Sequence, residues 1–213
     1  MRPIALIGAL VFGALLTPGP TDAQWGKMPT ITIAALARDA RIPLALEAVE
    51  FWNRQLAEIG TPFRLGAVTQ TTETLPTDFL TRLSAAVLTR EPPPDVPERV
   101  KRMLGDLIIA LSDGDFVSFS CRLLSGTRVV IGIRSDQLRP LSLPNVGRNV
   151  IAHELGHAIG LGHNDGPTTL MCGRPAPCRP AVFQSNVARF FPVTEADKGL
   201  LLRLYPPTWT PTR

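Results

Sequence analysis

His153, His157 and His163 are the only histidines in a chain of 213 residues, and they fall within eleven consecutive positions. The segment runs His153-Glu154-Leu155-Gly156-His157-Ala158-Ile159-Gly160-Leu161-Gly162-His163. A helix turns about 100° per residue, which sets His153 and His157 about 40° apart, one turn above the other. Two imidazoles so placed can share one metal ion. Continuing the helix would carry His163 away from that ion. Gly160 can take the left-handed conformation that ends a helix, and Gly162 eases the return. Three neutral nitrogens then leave one tetrahedral position for water, the pattern of catalytic zinc sites and not of closed structural ones. A bound zinc ion lowers the pKa of its water to about 7. Glu154 lies beside the ion and not on it, where a carboxylate can act as general base and then pass the proton to a leaving amine.

Other elements must hold this segment. Ile151, Leu155, Ala158 and Ile159 cluster opposite the two histidines, so one helix face enters a core and the other lines a cleft. Upstream, residues 30–33 alternate polar and apolar and predict a strand. Pro43 opens an amphipathic helix. Ala45, Val49, Trp52, Leu56 and Ile59 form its apolar stripe, with Trp52 a core residue, and Gly60 ends it. Residues 63–68 predict a second strand and 78–88 a short helix. The proline-rich stretch 91–97 is an extended loop. Residues 106–111 and 128–133 are short apolar runs expected as buried strands, with a turn at Gly126-Thr127. A final helix begins at Thr194, where Thr194 and Asp197 resemble a capping box, and Leu200, Leu201 and Leu204 supply its stripe. Residues 206–213 are expected to be a frayed tail.

The histidine segment resembles the metzincins, zinc endopeptidases defined by His-Glu-x-x-His-x-x-Gly-x-x-His followed by a methionine turn. The pattern is complete from His153 to His163, and Met171 follows eight residues later in Thr169-Leu170-Met171-Cys172, a spacing most similar to the matrixin branch. The resemblance implies an α+β fold: a metzincin-like catalytic domain with a twisted mixed sheet, an active-site helix, a Met-turn and a C-terminal helix. It implies one catalytic zinc ion on His153, His157 and His163, Glu154 as general base, and Met171 as a hydrophobic floor beneath the imidazoles. A peptide substrate would pair with an edge strand expected within residues 121–133. One pocket wall would come from residues 173–192, with Arg174, Arg179, Phe183, Phe190 and Phe191. Two departures stand out. Asn164 follows the third histidine where matrixins usually have serine, and Gly173 stands where some branches carry a further tyrosine ligand. No cysteine-switch propeptide is recognisable. The alternative is a zinc-stabilised binding module that keeps the scaffold without turnover.

Composition bounds the rest. With 45% hydrophobic and 19% charged residues, the chain can bury a core, which excludes wholesale disorder. The 22 basic residues are nearly all arginine and scattered, so the net charge of +4 forms no nucleic-acid footprint. Arg2, an apolar run over 4–16 and small residues near Ala23 predict a signal peptide over 1–23. The catalytic domain is then 24–213, secreted or periplasmic, with no stable membrane insertion once the leader is removed. The apolar run is too short to span a bilayer. Export implies an oxidising compartment. Among Cys121, Cys172 and Cys178, the short loop favours Cys172–Cys178, with pairings to Cys121 left open. Ser112-Asp113-Gly114-Asp115 could offer calcium its carboxylates but fits a solvated turn better.

Overall fold

The computed structural model describes residues 25–123, 128–173, 178 and 187–212. The leader, Gly126-Thr127, Arg174, Arg179 and Phe183 lie outside the described residues. A five-stranded mixed sheet is built from β1 (Ile31–Ala34), β2 (Val68–Thr71), β3 (Leu107–Leu111), β4 (Phe119–Arg122) and β5 (Val129–Ile133), in the order β2-β1-β3-β5-β4. The first four in that order run parallel, and β4 closes one edge antiparallel to β5. Among the described residues five helices accompany the sheet: α1 (Ile42–Glu58), α2 (Thr77–Thr89), α3 (Glu98–Arg102), α4 (Pro144–Ala158) and α5 (Glu195–Leu204). The chain therefore adopts the expected α+β class.

Both faces of the central strands are covered, which is why they read as continuous apolar runs. Side chains alternate between two cores. Ile31, Ile33, Leu107, Ile109, Val129 and Ile131 point to the larger one, shared with Trp52, Leu56, Ile151, Leu155 and Leu201. Ile108, Ala110 and Val130 point to the smaller, with Phe79, Leu80 and Leu83 of α2 and Val100 of α3. At the sheet's end the buried Arg41 donates to Asp39 and to the carbonyls of Ser112 and Arg134. It thereby ties the start of α1 to the residues just past β3 and β5.

Three expectations need correction. Residues 63–67 are not strand, and pairing starts only at Val68. Phe63 and Leu65 are buried nonetheless, because the Asn53 amide takes the place of a neighbouring strand. Its Oδ1 accepts from Leu65 N at 2.8 Å, and its Nδ2 donates to Leu65 O at 3.0 Å. Of the two edge strands, β2 and β4, the one near the expected stretch is β4, which begins at Phe119 and shares only residues 121–122 with it, whereas β5 lies inside the sheet. Residues 206–212 are not frayed. Trp209 is buried edge-on to Phe63. Its Nε1 donates to Trp25 O at 3.2 Å, and Thr212 N donates to Gly26 O at 2.6 Å. Burial of the indole and these hydrogen bonds favour order, and Pro206, Pro207 and Pro211 leave less backbone freedom to lose. The capping box is present: Thr194 Oγ1 accepts from Asp197 N, and the Asp197 carboxylate accepts from Thr194 N.

Candidate metal centre

α4 carries the first two histidines, and its end delivers the third. Pro144 lies in its first turn and Ile159 caps its C-terminus. Gly160 follows at φ +107°, the left-handed turn the sequence requires of it. Gly160 N donates to His157 O and Leu161 N donates to Gly156 O, the paired bonds of a Schellman ending. The next two carbonyls of the helix end, those of Ala158 and Ile159, accept from the indole N–H of Trp25 (2.8 Å) and the hydroxyl of Tyr205 (3.1 Å). Aromatic side chains from both ends of the chain thus satisfy carbonyls that a helix terminus leaves open.

Beyond that turn the three rings converge. The Nε2 atoms lie 3.0 Å (His153–His157), 3.0 Å (His157–His163) and 3.2 Å (His153–His163) apart. Among the described residues these three form the one cluster of three or more histidine, cysteine or acidic side chains able to hold a metal ion. His153 Nδ1 lies 2.7 Å from Leu170 O, and His157 Nδ1 lies 2.8 Å from Leu161 O. A carbonyl oxygen only accepts, so both Nδ1 atoms carry hydrogen. Burial pushes His157 down to about 4, helped by the nearby His163 and opposed by the bond to Leu161, so its ring is neutral at ordinary pH. Burial also lowers His163. In the neutral ring of His157 the Nε2 atom then bears a lone pair, aimed at the Nε2 atoms of the other two rings 3.0 Å away. A tetrahedral zinc ion with nitrogens at about 2.0–2.1 Å sets its donors about 3.3–3.4 Å apart, close to what the three rings present. The donor set therefore fits zinc.

Glu154, next to the first histidine in α4, is buried. Met171 is fully buried, and a Cβ added at Gly156 would come within 2.5 Å of its Sδ and 2.9 Å of Trp52. The missing side chain at Gly156 is what lets Met171 and Trp52 approach the helix between the two histidines. Trp52 is core, as expected, and its Nε1 donates to Ala152 O at 2.7 Å. Cys172 and Cys178 are bridged. Cys121, on β4, is outside any disulfide, and burial raises its thiol. Asp113 is paired with Arg41 and Asp115 with Arg134, while Ser112 Oγ accepts from Gly114 N. Phe190 stacks on Phe51 and Phe191 is buried, so both phenyl groups belong to packing.

Asn164 does more than depart from a pattern. Its Nδ2 donates to Asp197 at 3.1 Å, and its Oδ1 accepts from Thr169 Oγ1 at 2.6 Å and Gly166 N at 3.1 Å. One amide thus joins the residue after the third histidine to the methionine turn and to the cap of α5. Trp25, Tyr205 and Asp197 likewise support the site from afar. Asp197 was legible as the capping partner of Thr194, but nothing in the sequence indicated its bond to Asn164 or the partners of the two aromatic residues.

No known family model matches the chain, and no curated protein is detectably similar to it. Among solved structures, the chain is similar to the crystal structure of archaemetzincin from Methanopyrus kandleri, at 17% identity and a TM-score of 0.40. The match covers 87% of this chain and 98% of that one. At that level of likeness the functional reading stands on the site's own geometry.

Proposed function

We propose that this chain is a zinc-dependent endopeptidase of the metzincin kind, exported after removal of residues 1–23, that hydrolyses peptide bonds in protein or peptide substrates. The observation that carries the reading is the convergence of three imidazole Nε2 atoms at 3.0–3.2 Å, two of them with the hydrogen held on the opposite nitrogen. His153, His157 and His163 would hold the ion. When bound there, zinc supplies Lewis acidity and makes water at its open position acidic at neutral pH. Glu154, adjacent to the first ligand, takes the proton from the attacking water and returns it to the amine nitrogen that leaves. Gly173 has no side chain to occupy the open position. Met171, packed against Gly156 between two of the ligands, stiffens the floor. The substrate adds to the free edge of β4, which packs beside α4, so its backbone pairs as a further strand. Kinship with the matrixin branch rests on the step from His163 to Met171 alone.

The test is Glu154→Gln, measured against casein and a peptide library with and without chelator. Zinc content should stay at one ion per chain while cleavage falls by about 10²–10⁴-fold. Unchanged cleavage would reject Glu154 as the base. Wild-type protein that binds zinc but shows no chelator-sensitive cleavage of any substrate would leave the inactive binding module as the better reading.

A further inference from the structure

We propose that Gly173 is a positioning residue for the third metal ligand: the ring of His163 rests on the bare backbone of Gly173, and that contact sets the ring's place in the metal site. The proposal depends on the metal-binding part of the function proposed above.

The three rings are not held alike. His153 and His157 are each oriented by a carbonyl at Nδ1. Among the described residues no carbonyl is bonded to the Nδ1 of His163, and this ring is the exposed one of the three. It also lies beyond the helix, past two glycines, where α4 no longer fixes it. Besides the other two imidazoles, Gly173 lies against it. A Cβ placed at residue 173 would meet Cγ, Cδ2 and Nδ1 of His163, all well inside the 3.0 Å that real Cβ atoms keep. The three nearest atoms to that position all belong to the one imidazole.

The backbone does not explain this glycine. Among the described residues the positive-φ glycines are Gly60, Gly105 and Gly160, so residue 173 has a conformation open to ordinary residues. The space, and not the torsion angle, excludes a side chain. The segment is also held firmly enough to act as a support. Asn164 N donates to Met171 O at 2.9 Å, and Gly173 N donates to Asn164 O at 3.0 Å. These two bonds pair the residue after the third ligand with Met171–Gly173, in a parallel bridge between Asn164 and Cys172. The Asn164 side chain fastens the same loop to Thr169 and Asp197, and Cys172 is covalently tied to Cys178. A methyl group at residue 173 therefore cannot push its own backbone aside. It must displace the imidazole.

The experiment is a double-mutant cycle on the full chain with its disulfide intact. Zinc affinity is read by competition with a chromophoric chelator, and thermal stability is read on the metal-stripped protein. Gly173→Ala should weaken zinc binding by about 10–100-fold, the usual cost of losing a group that orients a ligand. In a His163→Ala background the same change should cost nothing further, because the ring it collides with is gone. If Gly173→Ala proves too unstable to purify, the cycle still decides. The His163→Ala, Gly173→Ala protein should then melt, metal-free, at the temperature of His163→Ala alone. Wild-type affinity in Gly173→Ala, an equal loss in both backgrounds, or a lower melting temperature in the double variant than in His163→Ala would each overturn the proposal. Failure of the wild-type protein to bind zinc at all would refute the metal-site reading itself, and is seen before any variant is made.

Discussion

Replacing Tyr205 with phenylalanine removes one oxygen from behind the C-terminal end of α4 and little else. The ring is fully buried and stacked on Phe63, with centroids 3.9 Å apart and planes 7° apart, so phenylalanine keeps the packing. The hydroxyl donates to Ile159 O at 3.1 Å and accepts from Trp25 N at 3.3 Å. Burial pushes its pKa up to about 12, so the proton stays on at every working pH. A net hydrogen bond is worth about 1 kcal/mol, and a buried carbonyl left without a donor costs about 1–3 kcal/mol. Two groups lose their partner here, one of them at a helix end, which puts the loss at about 2–3 kcal/mol. For a chain of this size each kcal/mol moves the melting temperature by about 2–4 °C, so the shift should be about 4–12 °C. Differential scanning calorimetry reads it. Trp25→Phe removes the neighbouring bond to Ala158 O and keeps the backbone bond from Trp25 N to the Tyr205 hydroxyl; the double variant should be less destabilised than the sum of the two, because the two lost donors hold adjacent carbonyls of one helix end. A Tyr205→Phe protein that melts within 1 °C of wild type would show that the helix end does not depend on these aromatic donors.

Burial raises the Asp39 carboxyl, but the hydrogen bonds and charge of Arg41 outweigh it and leave the group below its ordinary value of 3.8. A lowered carboxylate contributes stability that is present above about pH 4 and lost as pH falls through the folded-state value. Asp39→Asn should therefore cost about 3 kcal/mol in urea unfolding at pH 7, with the exposed Asp113 at 3.7 Å left as the one carboxylate beside the buried Arg41, and the gap to wild type should narrow as the pH falls below 3.8. The Cys172–Cys178 bridge closes a separation of six residues. Changing both cysteines to serine should lower the unfolding free energy by about 2 kcal/mol on chain-entropy grounds, measured by urea denaturation of the metal-free protein.

The parts of this fold that follow local periodicity were legible in the sequence. His153 and His157 come from helical spacing, the buried strands from apolar runs, and the cap of α5 from Thr194 and Asp197. The place of the third histidine was legible because Gly160 is a local signal for a helix end, and the structure places it at φ +107°. What escaped depends on partners far along the chain. Nothing near Leu65 shows that the amide of Asn53 satisfies its backbone. Nothing in a proline-rich C-terminus shows that Trp209 will reach Trp25. Gly173 escaped for another reason: a glycine is legible when a turn demands it, but here the demand comes from a ring ten residues upstream, brought close only by the pairing of two loops.

X-ray absorption at the zinc edge of the zinc-loaded protein tests the central claim most directly. One ion per chain should show three imidazole nitrogens at about 2.0–2.1 Å and one light donor from solvent. Fewer than three imidazoles, or a fourth ligand supplied by a protein side chain, would contradict an open three-histidine centre.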